Sequence, residues 1–206
     1  MIKVTEVRRT GGEGCTVLLS SGETVKTTLA VAAEMSVYDG RELSADEARE
    51  FLEKSALARA RERAMRIISA RAMSERELYD RLVEKGETEH NAADCVAWLR
   101  ELHFLSDEDY AGMVVRHYAQ KGYGRRRVRD ELYRRKVPRE LWDAALDELP
   151  EQDDTVDRLL RSRLKGEHPD RAELKKASDA LLRRGFSWEE IRAAINRFNS
   201  DTGEDY

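Results

Sequence analysis

Apolar residues alternate in short runs at the start of the chain and recur at helical spacing for the rest of it. Ile2, Val4 and Val7 occupy one short segment, Thr16-Val17-Leu18-Leu19 the next, and Thr24-Val25-Lys26-Thr27 a third. Gly11-Gly12-Glu13-Gly14 and Ser20-Ser21-Gly22-Glu23 separate them, and residues of these types permit tight reversals. This pattern predicts a small three-stranded meander that needs cover from the rest of the chain. Leu29 to Met35 reads as one or two helical turns, and Tyr38-Asp39-Gly40 breaks the chain.

From Ser44 onward the period is that of a helix. Ser44-Ala45-Asp46-Glu47 has the form of a capping box, in which each side chain satisfies an orphan backbone N–H. The same form opens at Ser74 and Ser187, and a weaker one, with Asp109 in the last place, at Ser106. An internal repeat underlies these starts. Helix ends fall at Gly86, Lys136 and Gly185, a period of about fifty residues. Leu82, Leu132 and Leu181 stand four residues before each end, and Leu78, Val128 and Ala177 eight before.

A helix precedes each of these, carrying Met65 and Ile68, then Tyr110 and Val114, then Val156 and Leu160. A helix also follows each, with Val96, Leu99 and Leu102, then Leu141, Ala145 and Leu149, then Ile191, Ile195 and Phe198. The expected fold is therefore mainly α: tandem three-helix repeats stacked into an elongated, curved array, with a small N-terminal β meander. The boundaries expected are a β-rich extension over 1–43, a connecting helix over 44–54, repeats over 55–105, 106–149 and 150–199, and a frayed tail over 200–206.

Composition agrees with this picture and narrows the chemistry. Charged residues make up 38% of the 206 positions and aromatics 7%, the profile of a chain rich in exposed helix. The net charge is only −4, so the whole molecule is not a general polyanion binder. The charge is instead segregated. Lys121 to Lys136 holds eight positive residues against Asp130 and Glu131, and Ser55 to Ala72 holds five arginines against Glu62. Separated fields of both signs favour the steering of a charged partner.

Cys15 and Cys95 lie far apart and fit a reducing cytosol, with neither a disulfide frame nor a zinc site. There is no long apolar run for a signal peptide or a membrane span, so a cytoplasmic protein is expected. His90, His103, His117 and His168 lack metal-ligand spacing, and no nucleophile–base pair or Walker-type phosphate loop is visible. The sequence presents no catalytic residues, no metal site and no cofactor, and the expectation is a non-enzymatic protein.

Particular stretches resemble a known family. Leu102-His103-Phe104-Leu105-Ser106-Asp107-Glu108-Asp109-Tyr110-Ala111, followed by Arg116, Gly122, Gly124, Arg127, Glu131 and Leu132, is similar to the central signature of the RecX family. Ser74-Glu75-Arg76-Glu77-Leu78, with Arg81-Leu82 and Lys85-Gly86, resembles its first repeat. The likeness covers roughly residues 55 to 149, is fainter in the third repeat, and extends there to Leu181–Phe186. Lys136 departs from it, standing where the equivalent helices end in Gly86 and Gly185.

The resemblance implies a partner in RecA, or in the filament RecA forms on single-stranded DNA. It implies suppression of RecA's ATPase, strand-exchange and co-protease activities, in the control of recombination, DNA repair and the SOS response. It also implies direct binding of single- or double-stranded DNA in some lineages. A monomer is the expected state.

The basic helix is the expected working surface. A charge run is commonly just a solvated face, but this one is dominated by one sign, eight positive residues against two negative, where ordinary solvated helices mix signs more evenly. Gly122-Tyr123-Gly124 sets a helix N-terminus beside it, a placement that suits an anion. At 100° per residue Val128 and Leu132 point to the core, and Arg126, Arg129 and Arg134 reach solvent. Arg127 and Arg135 flank the core along their stems. With the family context, the expected RecA- or DNA-binding residues are Arg116, Tyr123, Arg125, Arg126, Arg127, Arg129, Arg134, Arg135 and Lys136, together with Arg59, Arg63 and Arg66. Tyr123 and Tyr133 read more readily as core edges than as stacking surfaces, and Trp98, Trp142 and Trp188 as packing.

Overall fold

The computed structural model describes residues 1–166 and 168–202, and the rest of the tail expected to fray lies outside them. The chain divides into two compact units, Met1–Leu105 and Ser106–Tyr206. In the first, β1 (Ile2–Arg9), β2 (Gly14–Leu19) and β3 (Thr24–Thr28) lead into α1 (Leu29–Glu34), β4 (Glu42–Leu43), α2 (Ala45–Ala70), α3 (Glu75–Glu84) and α4 (Glu89–Glu101). The second holds α5 (Asp107–Gln120), α6 (Arg125–Arg134), a 3₁₀ turn over Arg139–Leu141 that runs into α7 (Trp142–Asp147), α8 (Asp153–Arg161), α9 (Arg171–Arg183) and α10 (Trp188–Thr202).

The sheet has four strands in the order β3-β2-β1-β4, one more than the alternation predicts. Two residues are too few to show a period. Glu42–Leu43 becomes a strand only because it meets the free edge of β1 at Lys3 and Ile2. Cys15, Val17 and Leu19 of β2 and Val25 and Thr27 of β3 face inward and are buried. The first half of α2 covers them with Ala48, Phe51 and Ser55, the Ser55 hydroxyl meeting Thr27 Oγ1 at 2.9 Å.

The second half of the same helix turns Ala60 and Ala64 toward α3 and α4. One unbroken helix thus runs through positions 54 and 55, serving two cores in succession. That double duty is why no single apolar stripe marks it in the sequence.

Three helix triplets follow: the second half of α2 with α3 and α4, then α5 to α7, then α8 to α10. Each has its own buried cluster, centred on Leu78 and Leu82, on Val128 and Leu132, and on Leu160 and Leu181. The repeat spacing has a backbone cause. The amides of Glu87, Val137 and Phe186 donate to the carbonyls of Leu82, Leu132 and Leu181 at 3.0, 3.1 and 3.3 Å. The residue before each donor is left-handed: Gly86 at φ 89°, Lys136 at φ 58° and Gly185 at φ 90°. This is the Schellman helix end, which satisfies orphan carbonyls by reversing the backbone. The leucine that accepts the bond also fills the core, worth roughly 2 kcal/mol for a side chain taken fully from water.

Some side chains depart from the expected pattern. Leu102 is 47% exposed, because α4 ends at Glu101 and Leu102 is its cap. Trp188, expected to pack, is 48% exposed in the first turn of α10. Ser44 and Ser187 make reciprocal capping boxes with Glu47 and Glu190, whereas Ser74 and Ser106 accept from the amides of Glu77 and Asp109.

Lys136 pays the left-handed penalty that glycine avoids. Lys136→Gly is expected to stabilise the protein by about 0.5–1 kcal/mol, and Gly86→Ala to destabilise it by about 1 kcal/mol. Nothing lies within 4 Å of a Cβ at Gly86, so its cost is conformational alone. Urea denaturation followed by helical circular dichroism reads both, and a destabilised Lys136→Gly chain contradicts this account of the helix end.

Candidate functional site

α6 is built from a sequence in which, Glu131 aside, aliphatic residues are buried and charged ones face outward. Val128 and Leu132 are fully buried against α5 and α7, and Arg126, Arg129, Tyr133 and Arg134 lie in water. Arg127 and Arg135 flank the core at intermediate exposure, as the helical period predicts.

Glu131 does not follow its expected place. Its charge type marks it as a surface residue, yet it is 3% exposed. Its carboxylate receives Arg134 at 2.9 Å, Arg127 at 3.3 Å and Arg135 at 3.7 Å. A buried carboxylate is stable only when paired and hydrogen-bonded, and three guanidiniums supply that here. In return it fixes three arginines on one helix. Arg135 also donates Nη1 to the Tyr110 hydroxyl at 2.8 Å. Burial disfavours the Arg135 charge, but the hydroxyls of Tyr110 and Tyr118 outweigh it and raise its pKa above the ordinary arginine value.

The N-terminus of α6 corrects the expectation that it receives an anion. Gly124 N donates to Arg184 O at 2.9 Å and Arg126 N to Gly185 O at 3.1 Å. The end of α9 thus plugs the start of α6. These carbonyls carry the negative end of one helix dipole to the positive end of another, the role an anion would otherwise take. The fit needs two glycines. A Cβ on Gly124 would stand 2.5 Å from Gly185 O, and one on Gly185 would overlap the backbone nitrogen of Arg127.

Arg184 completes the joint. Its Nη1 donates to the carbonyls of Lys121 and Gly122, each at 3.1 Å, and its guanidinium lies 5.3 Å from the centre of the Tyr123 ring. Arg127 lies near the same ring at 6.0 Å and Tyr118 at 5.5 Å. Tyr123 is therefore a packed element of the joint.

The expected binding residues separate into distinct roles. Arg59, Arg63 and Arg66 lie on α2 in the first unit and the others in the second. Arg63 donates to Lys85 O at 2.9 Å and pairs with Glu87 at 2.7 Å, so it holds the end of α3. Arg125 likewise donates to Leu146 O at 3.0 Å and to Asp147 at 2.9 Å, closing the end of α7. Arg116 meets Glu148 at 3.4 Å. Lys136 occupies the left-handed helix end described above.

Among the described residues, Arg59, Arg66, Arg126 and Arg129 are exposed and make no ion pair. Of these, Arg126 and Arg129 sit one turn apart on the same helix. The free thiols are buried, and burial pushes Cys95 up to about 11. Among the described residues no His, Cys, Asp and Glu side chains group as a metal site, and no helix is long and apolar enough to cross a membrane.

Comparison with known proteins locates this architecture. Residues 60–99, 106–146 and 151–195 match the first, second and third three-helix domains of RecX. The regulatory protein RecX of Vibrio cholerae is 33% identical over 70% of this chain and 97% of its own length. The chain belongs to the RecX family.

That of Cronobacter sakazakii is 31% identical over 70% of this chain and 95% of its own length. The regulatory protein RecX of Caldanaerobacter subterraneus is 26% identical over 79% of this chain and 82% of its own length. A crystal structure of a regulatory protein RecX superposes with a TM-score of 0.74 at 19% identity, covering 95% of this chain and all of that one. RecX from Lactobacillus salivarius gives 0.64 at 20% identity, over 70% of this chain and 97% of that one, so both share the fold. The RecX assignment makes this a regulatory protein.

The joint yields a specific expectation. Gly185→Ala adds steric overlap to left-handed strain, and should cost about 2–4 kcal/mol against about 1 kcal/mol for Gly86→Ala. Hydrogen exchange reads where the damage falls: the amides of Gly124 and Arg126 should lose protection first. Unchanged protection there would show that the plug does not hold α6.

Proposed function

We propose that this chain regulates RecA. It binds RecA, or the filament RecA forms on single-stranded DNA, and lowers its ATPase, strand-exchange and co-protease activities in the control of recombination and DNA repair. It acts in the cytoplasm as a monomer without catalysis of its own. The observation that carries the reading is the pair Arg126 and Arg129, unpaired and exposed on a helix whose first turn is fixed by a neighbouring repeat. Exposed, unpaired positive charge on a held helix steers a partner of negative potential and sets its orientation. Membership of a regulatory family supports the same direction.

Tandem repeats suit a long, repetitive target. A regulator that bridges neighbouring RecA protomers hampers filament growth or the cycling between nucleotide states. Such a regulator works below one molecule per protomer, since one blocked point affects many subunits. A second reading has its own support in the exposure of Tyr133 beside the free arginines: a DNA-binding module that competes for single strands without touching RecA. Competition for phosphates weakens steeply as salt rises.

The test is RecA's single-strand-dependent ATPase at saturating DNA, titrated with the chain. Inhibition well below equimolar protein is expected. Arg126→Ala with Arg129→Ala should raise the concentration needed by about tenfold, as loss of two contacts of ordinary strength implies. Arg8→Ala with Arg49→Ala removes the same charge from exposed positions elsewhere and should change it little. An unaffected ATPase at equimolar protein refutes the RecA reading.

A further inference from the structure

Tyr123 and Tyr133 are alike in sequence context, each a tyrosine among arginines, and the fold gives them opposite surroundings. Tyr123 is enclosed by Tyr118, Arg127 and Arg184. Tyr133 is 63% exposed. Its ring is nonetheless supported on one side. The Tyr133 ring meets Trp142 edge to face at 6.4 Å, and the indole Nε1 of Trp142 donates to Val137 O at 2.9 Å. Arg139 lies 5.7 Å from the centre of the Trp142 ring. An aromatic ring braced from one side and open to water on the other loses little conformational freedom when it binds a flat partner.

The neighbours of Tyr133 along the helix define that partner. Arg126, Arg129, Asp130 and Tyr133 fall at i, i+3, i+4 and i+7, a single exposed stripe. Arg126 and Arg129 have no ion pair among the described residues. The stripe carries one opposing charge, Asp130, and the exposed positions of α6 include no aliphatic side chain. Arginine and tyrosine are common at protein interfaces too, but there apolar side chains surround them, and the exposed positions of α6 supply none that is aliphatic. Guanidiniums that track a backbone beside an aromatic that takes a base are the makeup of a single-strand site.

We infer that Tyr133 is a stacking surface for an unpaired base of a single-stranded nucleic acid whose phosphates lie on Arg126 and Arg129. A duplex keeps its base faces covered, so it meets only the arginines. Tyr133 then sets the preference for single over double strands, and the arginines supply affinity without preference. This rests on the reading of α6 as the working surface toward the RecA filament, and names that filament's single strand as what α6 holds.

The test uses the full chain without RecA, at low salt, with three fluorescein-labelled probes of equal length: oligo(dT), an abasic strand and a duplex. Tyr133→Ala should weaken oligo(dT) binding by about tenfold, the size of one base–aromatic stack, and leave the abasic strand and the duplex within about twofold. Tyr133→Phe keeps the ring and should bind as the parent does. Arg126→Ala with Arg129→Ala should weaken all three probes and reduce the salt dependence.

Equal loss on oligo(dT) and the abasic strand overturns the stacking role, as does a parent chain that binds no strand at low salt. If that double variant relieves RecA inhibition while no strand is bound, α6 works on protein and the inference alone falls. If it changes neither inhibition nor strand binding, the reading of α6 as the working surface falls with it.

Discussion

Every helix leaves its first amides and its last carbonyls without partners inside the helix, and in the second unit two of these deficits cancel each other. The carbonyls of Arg184 and Gly185 sit on the amides of Gly124 and Arg126. Because both groups are backbone, the contact itself uses no side chain and asks only for the room the two glycines leave. It also sets the direction of α6, and with it the direction of each arginine that α6 carries. The third repeat contributes none of the exposed arginines of the candidate surface, yet it holds the helix that presents them.

The same need recurs wherever a helix ends, and it consumes much of the positive charge. Arg63 serves the carbonyl of Lys85, Arg125 that of Leu146, and Arg184 those of Lys121 and Gly122. Cations at helix C-termini are stabilised by the dipole as well as by the hydrogen bond. Glu131 takes up three more guanidiniums. A segment that holds eight positive residues therefore leaves only Arg126 and Arg129 both exposed and unpaired on α6. Charge counted along a sequence overstates the charge offered to a partner, because folding commits arginines to helix-end carbonyls and to a buried carboxylate.

What the sequence reveals and what it conceals follow from the range of the interactions. The leucine four residues before each helix end is legible, because the Schellman end ties a buried side chain and a left-handed residue at fixed spacing. Lys136 could be aligned with Gly86 and Gly185 on that basis, and it does adopt their positive φ. The division of α6 into Val128 and Leu132 against Arg126, Arg129 and Arg134 is legible for the same local reason. Glu131 was not. A glutamate with arginines at i−4, i+3 and i+4 looks like an ordinary solvated face, and only the tertiary packing buries it. The joint was not legible either, since Gly124 and Arg184 are remote in sequence and meet through backbone atoms that carry no side-chain signature. The strand at Glu42–Leu43 exists only through its pairing with β1.

These distinctions bear on how so few free charges can direct a regulator. An unpaired arginine on a mobile helix gains affinity at the cost of ordering both helix and side chain, and much of the gain is lost to that cost. On α6 the helix is already ordered by folding, through the plugged N-terminus, the buried Glu131 and the Schellman end at Lys136, which leaves only the two side chains to be ordered. In the proposed reading, two guanidiniums and one braced ring then meet a partner with the cost of ordering the helix already met. In that reading, arginines that never touch the partner hold the helix that carries those that do. Substitutions at Arg184 or Glu131 would act on binding only through α6, so their effect on strand affinity should vanish once Arg126, Arg129 and Tyr133 are removed. Additive losses in a double-mutant cycle would show instead that the joint and the stripe work independently.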